Sequence, residues 1–268
     1  METIALGRRG DATVEFFCPR AASRGGKPQM TDRAKASIGA MSTGGKQSAI
    51  QAVIFDLDGV LVDSEPWHHR AANTILEGCH RGSLSVEEYA SYLGLTPEQM
   101  WRDLIERNKL AGRPTDYVSR YNTMVSAGYR TVTRAPDVVE LLDELQSFDL
   151  KLAVASSSPT DWVIPCLNAL GIRRYFEVII RGDMVPRGKP DPALFLLAAR
   201  LLGVPTARCC VVDDAPSGIA AGIAAGMLTV ALETPYTNPS LMANANLQIP
   251  SLKKADFLPV LLALRSRF

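Results

Sequence analysis

The chain has 268 residues, 47% of them hydrophobic and 21% charged, and a net charge of +1. This composition supports a sizeable core in one large domain or two small ones and excludes wholesale disorder. The near-neutral balance argues against a protein built to coat nucleic acid, and no apolar run of about 18 residues is present to span a membrane.

Residues 1–49 stand apart. They hold eight basic and four acidic residues, a net of +4, which leaves 21 basic against 24 acidic, or −3, for the rest. Gly, Ser and Ala are common and no apolar period persists, so a disordered basic extension is expected. Its arginines and serines allow an organellar transit peptide as the alternative, and its four acidic residues count against that. Met30 and Met41 are alternative natural starts.

From Ile50 the pattern changes. Gln51–Phe55 is a short apolar run of the kind found in buried parallel strands. Helices are expected over Pro66–Cys79, Ser85–Tyr92, Thr96–Asn108 and Pro114–Ala127. Thr96-Pro97-Glu98-Gln99 supplies an N-cap, an N1 proline and a Gln at N3. After Arg134 strands and helices alternate. The expected order is helix Asp137–Ser147, strand Leu150–Ala155, helix Pro159–Leu170 kinked or shortened by Pro165, and strand Glu177–Ile180. Then come helix Pro192–Leu202 ended by Gly203, strand Cys209–Val212, helix Ser217–Ala225 and strand Leu228–Leu232. A last amphipathic helix is expected over Lys254–Ser266. Such alternation predicts an α/β fold, a doubly wound parallel sheet covered on both faces, with a helical insertion after the first strand.

Ligands of open parallel sheets bind beyond the carboxyl ends of the strands. Four such ends carry polar residues. Asp56 and Asp58 follow the first strand, and Asp213 and Asp214 follow Cys209–Val212. Paired carboxylates are costly unless a cation or proton shares them, and Mg²⁺ prefers such oxygen ligands. These four aspartates are therefore the candidate metal ligands. Ser156 and Ser157 lie where a strand gives way to a helix start, a place suited to phosphate, and Lys189 is a point charge for the same anion. Singly, each has an ordinary reading as a turn, a helix cap or a surface charge. Together on one rim they describe a Mg²⁺–phosphate site.

The sequence from about Ile50 onward resembles the haloacid dehalogenase superfamily, in its phosphatase and β-phosphoglucomutase-like branch. The resemblance is carried by Asp56-Leu57-Asp58-Gly59, by Val154-Ala155-Ser156, by Gly188-Lys189-Pro190-Asp191-Pro192, and by Val212-Asp213-Asp214 with Ser217-Gly218-Ile219. It implies a Rossmann-like core over 50–63 and 135–268 and a small helical cap over 64–134. It makes Asp56 the nucleophile that forms an aspartyl-phosphate and Asp58 the general acid and then base. Ser156 and Lys189 would hold the phosphoryl oxygens, and Asp214 with Asp213 would anchor Mg²⁺ alongside Asp56 and the Leu57 or Asp58 backbone. An Asp at the second motif position, Asp58, disfavours dehalogenase chemistry. The fourth motif often reads Glu-Asp, and the shorter Asp213 here is the weaker candidate ligand.

Hinges near Asp63–Pro66 and Thr133–Pro136 would close the cap over the site. Glu65 and His68 are the cap residues expected to face the substrate, beside Trp67, whose other reading is hinge packing. The mutases of the branch carry an arginine where Pro97 stands. The expected function is a Mg²⁺-dependent phosphatase of a small sugar or polyol phosphate. A hexose-phosphate mutase and a non-catalytic phosphate-binding regulator are the alternatives. The expected partner is a small phosphorylated metabolite, with no nucleic acid and no membrane. A monomer is expected, with a dimer as the alternative. The five cysteines are odd in number and form no C-x-x-C pair, which fits a reducing, cytoplasmic setting.

Overall fold

The structure, a computed structural model, describes residues 50–129, 132–237 and 239–257. The basic segment 1–49 lies outside them, as does most of the expected C-terminal helix, whose residues 254–257 are helical.

Short apolar runs form the strands β1 (Ala52–Phe55), β2 (Lys151–Ala155), β3 (Val178–Ile180), β4 (Cys209–Asp213) and β5 (Leu228–Leu232). A further strand, β6 (Leu247–Ile249), was not expected, because three residues are too few to show a period. The six make one parallel sheet in the order β3-β2-β1-β4-β5-β6. The chain winds from β1 outward through β2 and β3, then crosses to β4 on the other side. The crevice of such a sheet opens where the winding reverses, between β1 and its neighbours. Register places the site there: Phe55 pairs with both Val154 and Val212, so the next residue, Asp56, falls level with Ala155, one residue before Ser156, and with Asp213.

Alternate strand residues serve two cores. Val53, Phe55, Val154 and Val212 face α5 (Val138–Ser147) and α6 (Thr160–Ala169). Ala52, Ile54, Ala155 and Val211 face α7 (Ala193–Leu202) and α8 (Pro216–Ala224). The helix expected over Pro159–Leu170 is present, with Pro165 inside it and little shortening. α6 runs on to Ala169, because buried Trp162, Val163, Cys166 and Leu167 hold it while the proline removes a single N–H. Gly203, at φ 67°, ends α7 as expected.

Between β1 and α5 lie α1 (Glu65–Gly78), α2 (Val86–Tyr89), α3 (Pro97–Asn108) and α4 (Pro114–Gly128). The helix expected over 85–92 is a single α-turn followed by a 3₁₀ turn, Ala90–Tyr92. Thr96 and Gln99 form the expected capping box, and α4 packs on both α1 and α3 around Trp101 and Leu104. The two connections between insertion and sheet run side by side. Asp63 N–H donates to Thr133 O at 3.3 Å and Ala135 N–H to Leu61 O at 3.1 Å, across an antiparallel bridge between Val62 and Arg134.

Leu194 is fully buried on α7 against the sheet. Leu194→Ala is expected to cost about 2–5 kcal/mol, read as a lowered urea midpoint with unchanged slope.

Candidate active site

The site is built around a buried cation. Lys189 is 0% exposed, and its Nζ donates to Asp56 Oδ1 and to Asp213 Oδ2, each at 2.7 Å. The second oxygen of Asp213 accepts the Ala215 N–H at 2.9 Å. Asp214, the next residue, is 2% exposed, and its Oδ2 is a buried atom with no hydrogen-bond partner. Gly59 makes room for it. A Cβ there would lie 2.1 Å from Asp214 Oδ2, and φ is +75°, so both space and backbone demand glycine.

Burial raises Asp56 above the usual carboxylate range; Lys189 opposes this, and the charges of Asp213 and Asp58 add to it. Burial likewise pushes Asp214 well up, reinforced by Glu65, Asp213 and Asp56. Burial alone would lower Lys189, but Asp213 and Asp56 outweigh it and hold the ammonium charged. One ammonium thus serves three buried carboxylates, an excess of negative charge.

Asp58 lies apart from this cluster. One oxygen each of Asp56, Asp213 and Asp214 lies within 4.8 Å of the others, and the Asp58 carboxylate is not among them. The group whose side chains could share a cation is thus Asp56, Asp213 and Asp214. Ser64 Oγ donates to Asp58 Oδ1 at 2.6 Å, Ser158 Oγ to Oδ2 at 2.7 Å, and Tyr129 OH also to Oδ1. His68 Nε2 stands 3.6 Å from Oδ1. Burial would raise Asp58, but His68, Ser64 and Tyr129 outweigh it and hold the carboxyl well below its ordinary value. Ser64 precedes α1 without capping it, since its hydroxyl is engaged by Asp58.

His68 is buried, not exposed. Its Nδ1 lies 2.6 Å from Tyr121 OH and its Nε2 3.0 Å from Tyr129 OH. Burial would lower it, yet Asp58 and Glu65 raise it above the ordinary imidazole value. Glu65 is buried as well, and its Oε2 accepts Tyr89 OH at 2.9 Å. Burial raises the Glu65 carboxyl, with His68 and Tyr89 opposing. Trp67 is half-exposed, takes Arg70 over its ring at 5.5 Å and leans on Gly128, so it packs the hinge side and not the cavity.

At the end of β2, Ser156 Oγ accepts the Ser158 N–H at 3.0 Å. Ser157 Oγ donates to Gly94 O at 2.9 Å, and Ser217 Oγ donates to Leu93 O at 2.9 Å. These two bonds clasp the insertion's loop 93–97 onto the core. Gly94, at φ +72°, allows the approach, since a Cβ would lie 2.5 Å from Ser217 Oγ. The result is a narrow pocket of about 40 Å³. Asp56, Asp58 and Ser156 to Ser158 form its core side, and Glu65, His68, Tyr89, Tyr92, Thr96 and Tyr121 its insertion side. It has room for no more than a few waters.

The residues fit a hard cation. Three carboxylates converge in a site with excess negative charge, and one of their buried oxygens has no partner. The structure thus brings Asp56, Lys189, Asp213 and Asp214 together, with Ser156 and Ser157 on the adjoining strand end. Glu65 and His68 come to the same cavity from the insertion. Ser64, Ser158, Tyr89, Tyr121 and Tyr129 were missed. The last three are single aromatics on helices that sequence reads as core, and no spacing links them to Asp58.

Residues 53–232 match the family of haloacid dehalogenase-like hydrolases. The chain belongs to this family, and it is a phosphoric monoester hydrolase. It is 31% identical over 202 residues to a phosphoglycolate phosphatase of Pseudomonas syringae pv. tomato, covering 72% of this chain and 73% of that one. It is 30% identical over 179 residues to a phosphorylated carbohydrates phosphatase of Thermotoga maritima, covering 66% and 82%. The crystal structure of a β-phosphoglucomutase from Clostridium difficile superposes with a TM-score of 0.72 at 25% identity, covering 80% of this chain and 97% of that one.

Lys189→Met leaves two buried carboxylates without their counter-charge. It is expected to lower stability by about 3–5 kcal/mol in urea unfolding, more than an exposed lysine change such as Lys109→Met.

Proposed function

We propose that the protein is a Mg²⁺-dependent phosphatase that hydrolyses a small sugar or polyol phosphate through a phosphate ester on Asp56. One observation carries the reading: a buried aspartate at the sheet's winding reversal is held by Lys189, beside two further carboxylates and a hydroxyl strand end. Asp56 Oδ attacks phosphorus, and the P–O bond to the leaving alcohol breaks. The alcohol oxygen takes its proton from Asp58. Water then attacks the phospho-aspartate, Asp58 takes the water's proton, and phosphate and free Asp56 result. Lys189 and Ser156 hold the phosphoryl oxygens as their charge redistributes. Asp56, Asp213 and Asp214, with a backbone carbonyl of Leu57 or Asp58, would hold Mg²⁺, which would supply further positive charge at the phosphoryl group. Asp213 is already bonded to Lys189 and to its own turn, which supports a supporting position for it and a direct one for Asp214.

In this reading residues 64–134 are a cap and 50–63 with 135–268 the core. The pocket of about 40 Å³ is narrow for a metabolite, and the paired linkers at 62–63 and 133–135 are where the cap would swing to widen it. Closure removes bulk water and delivers Tyr129 and His68 to Asp58. The enzyme acts as a monomer in the cytoplasm. Among the described residues no helix is long and apolar enough to cross a membrane.

Wild-type protein with Mg²⁺ is expected to release phosphate from members of a sugar- and polyol-phosphate panel, and Asp56→Asn to fall to background. Asp58→Asn is expected to lower kcat by about 10²–10⁴. Isomerisation of a hexose phosphate that needs a trace of bisphosphate and releases little phosphate would replace this reading with a mutase. Failure across the panel would favour a phosphate-binding regulator.

Mg²⁺ is also expected to raise the thermal midpoint of the wild type and not of Asp214→Asn. Because burial raises the carboxyls of Asp56 and Asp214, protons compete with the cation for them. The shift in midpoint should therefore be larger at about pH 8 than at about pH 6.

A further inference from the structure

A second pocket, of about 260 Å³, lies where the two linkers of the insertion meet the loop after β5. Its volume falls just below the roughly 300–1,000 Å³ of sites for drug-sized ligands, so it suits a smaller molecule. Asp63 and Pro136 of the linkers line it, as do residues 233–236 of the loop. Buried Leu232 and Leu252, with Pro235 and the Tyr236 ring, make its walls apolar. The phosphoryl transfer makes no use of it.

Its charge is one-sided. Asp63, Glu65 and Glu233 line it, and among the described lining residues there is no lysine, arginine or histidine. Among the described residues the exposed side chains of Asp63 and Glu233 have no ion-pair or hydrogen-bond partner. Burial and the charges of Glu65 and Asp63 raise the Tyr236 hydroxyl above its ordinary value, so both carboxylates bear on this wall. The three do not converge as metal ligands do. Among the described residues, the acids close enough to share an ion are Asp56, Asp213 and Asp214. A hard divalent ion would also gain nothing from leucine and proline walls. An ammonium or guanidinium on an apolar body meets both conditions. The exposed carboxylates pair its charge, and the aliphatic walls and the tyrosine ring take its body.

The place of the pocket gives such a ligand a consequence. The centroid of the Tyr236 ring lies 6.0 Å from that of Tyr89 and 6.1 Å from that of His69, both on the insertion. On the linker side, Asp63 N–H donates to Thr133 O and Ala135 N–H to Leu61 O. We propose that this pocket binds a small organic cation with an apolar body, and that the bound cation braces the two linkers against the loop after β5, holding the insertion in its packed position. This stands apart from the phosphatase reading, because it concerns a different pocket and is read without turnover. Glu65 borders both pockets, so the variants that test the site leave it unchanged.

The probes 2-phenylethylammonium, 2-phenylethanol and 3-phenylpropionate share one apolar body and carry a positive, a neutral and a negative head. In calorimetric titration of the full chain with Mg²⁺ present, at about 50 mM salt, the ammonium is expected to bind about tenfold or more tighter than the alcohol, and the carboxylate weakest. Raising the salt to about 0.5 M should weaken the ammonium severalfold and leave the alcohol little changed. Glu233→Gln and Asp63→Asn are each expected to weaken the ammonium by about threefold to fivefold, and the double variant by about tenfold, with the alcohol unmoved. Both side chains are exposed, and equal thermal midpoints check that the variants fold. The salt series on wild type carries the test if either does not. With the ammonium bound, hydrogen exchange at the Asp63 and Ala135 amides is expected to slow severalfold, and not with the alcohol. No preference for the ammonium over the alcohol overturns the proposal. A preference that survives in both folded variants puts the cation elsewhere and overturns it as well. Binding that leaves the two linker amides unprotected overturns the bracing. Failure of the protein to hydrolyse any phosphoester would remove the phosphatase reading and leave each of these readouts as it is.

Discussion

The ammonium of Lys189 between Asp56 and Asp213 is the interaction on which the rest of the site depends. Charges buried in a protein interior persist only when paired and hydrogen-bonded. Here the pairing is incomplete by design of the sheet, because the ends of β1 and β4 lie side by side and bring three aspartates into one small volume. One lysine fixes the Asp56 carboxylate and ties it to the neighbouring strand. It leaves Asp214 without a partner, and that residual negative charge makes the site receptive to a further cation.

The second carboxylate of the first strand end illustrates how environment divides labour between like residues. Asp56 and Asp58 are two positions apart, yet Asp56 is committed to Lys189 and Asp58 to three hydroxyls and a histidine. Burial dominates for Asp56 and raises its carboxyl, while donors dominate for Asp58 and depress it. Environment alone thus separates two carboxyls that the sequence places two residues apart. Two of the Asp58 partners, Tyr129 and His68, come from the insertion, so the environment of Asp58 is complete only with the insertion packed against the sheet.

Closure itself rests on modest contacts. Two serine hydroxyls bond to the carbonyls of Leu93 and Gly94, and Trp162 Nε1 donates to Ser126 Oγ at 2.8 Å. Each such bond is worth about 0.5–1.5 kcal/mol net. The Tyr89–His69–Tyr236 cluster adds a contact between the insertion and the loop after β5, and Thr237 in that loop donates to the Asp214 carbonyl at 3.1 Å. The cap and the acidic cluster are thus linked through one short segment of chain.

By itself the sequence determined the core. Apolar runs of strand length, the capping box at Thr96 and the glycine after Leu202 are local signals, and strand and helix geometry translate them directly. It also placed Asp56, Ser156, Lys189, Asp213 and Asp214 on one rim, because residues that follow parallel strands must share an edge of the sheet. It did not reveal β6, too short for a period. Tertiary structure alone decided which aspartates face one another and what surrounds Asp58. Ser64, Tyr129 and Ser158 converge on that carboxylate from positions 6, 71 and 100 residues away. Such convergence depends on how the cap lies on the sheet, a property of packing between two bodies and not of any local pattern along the chain.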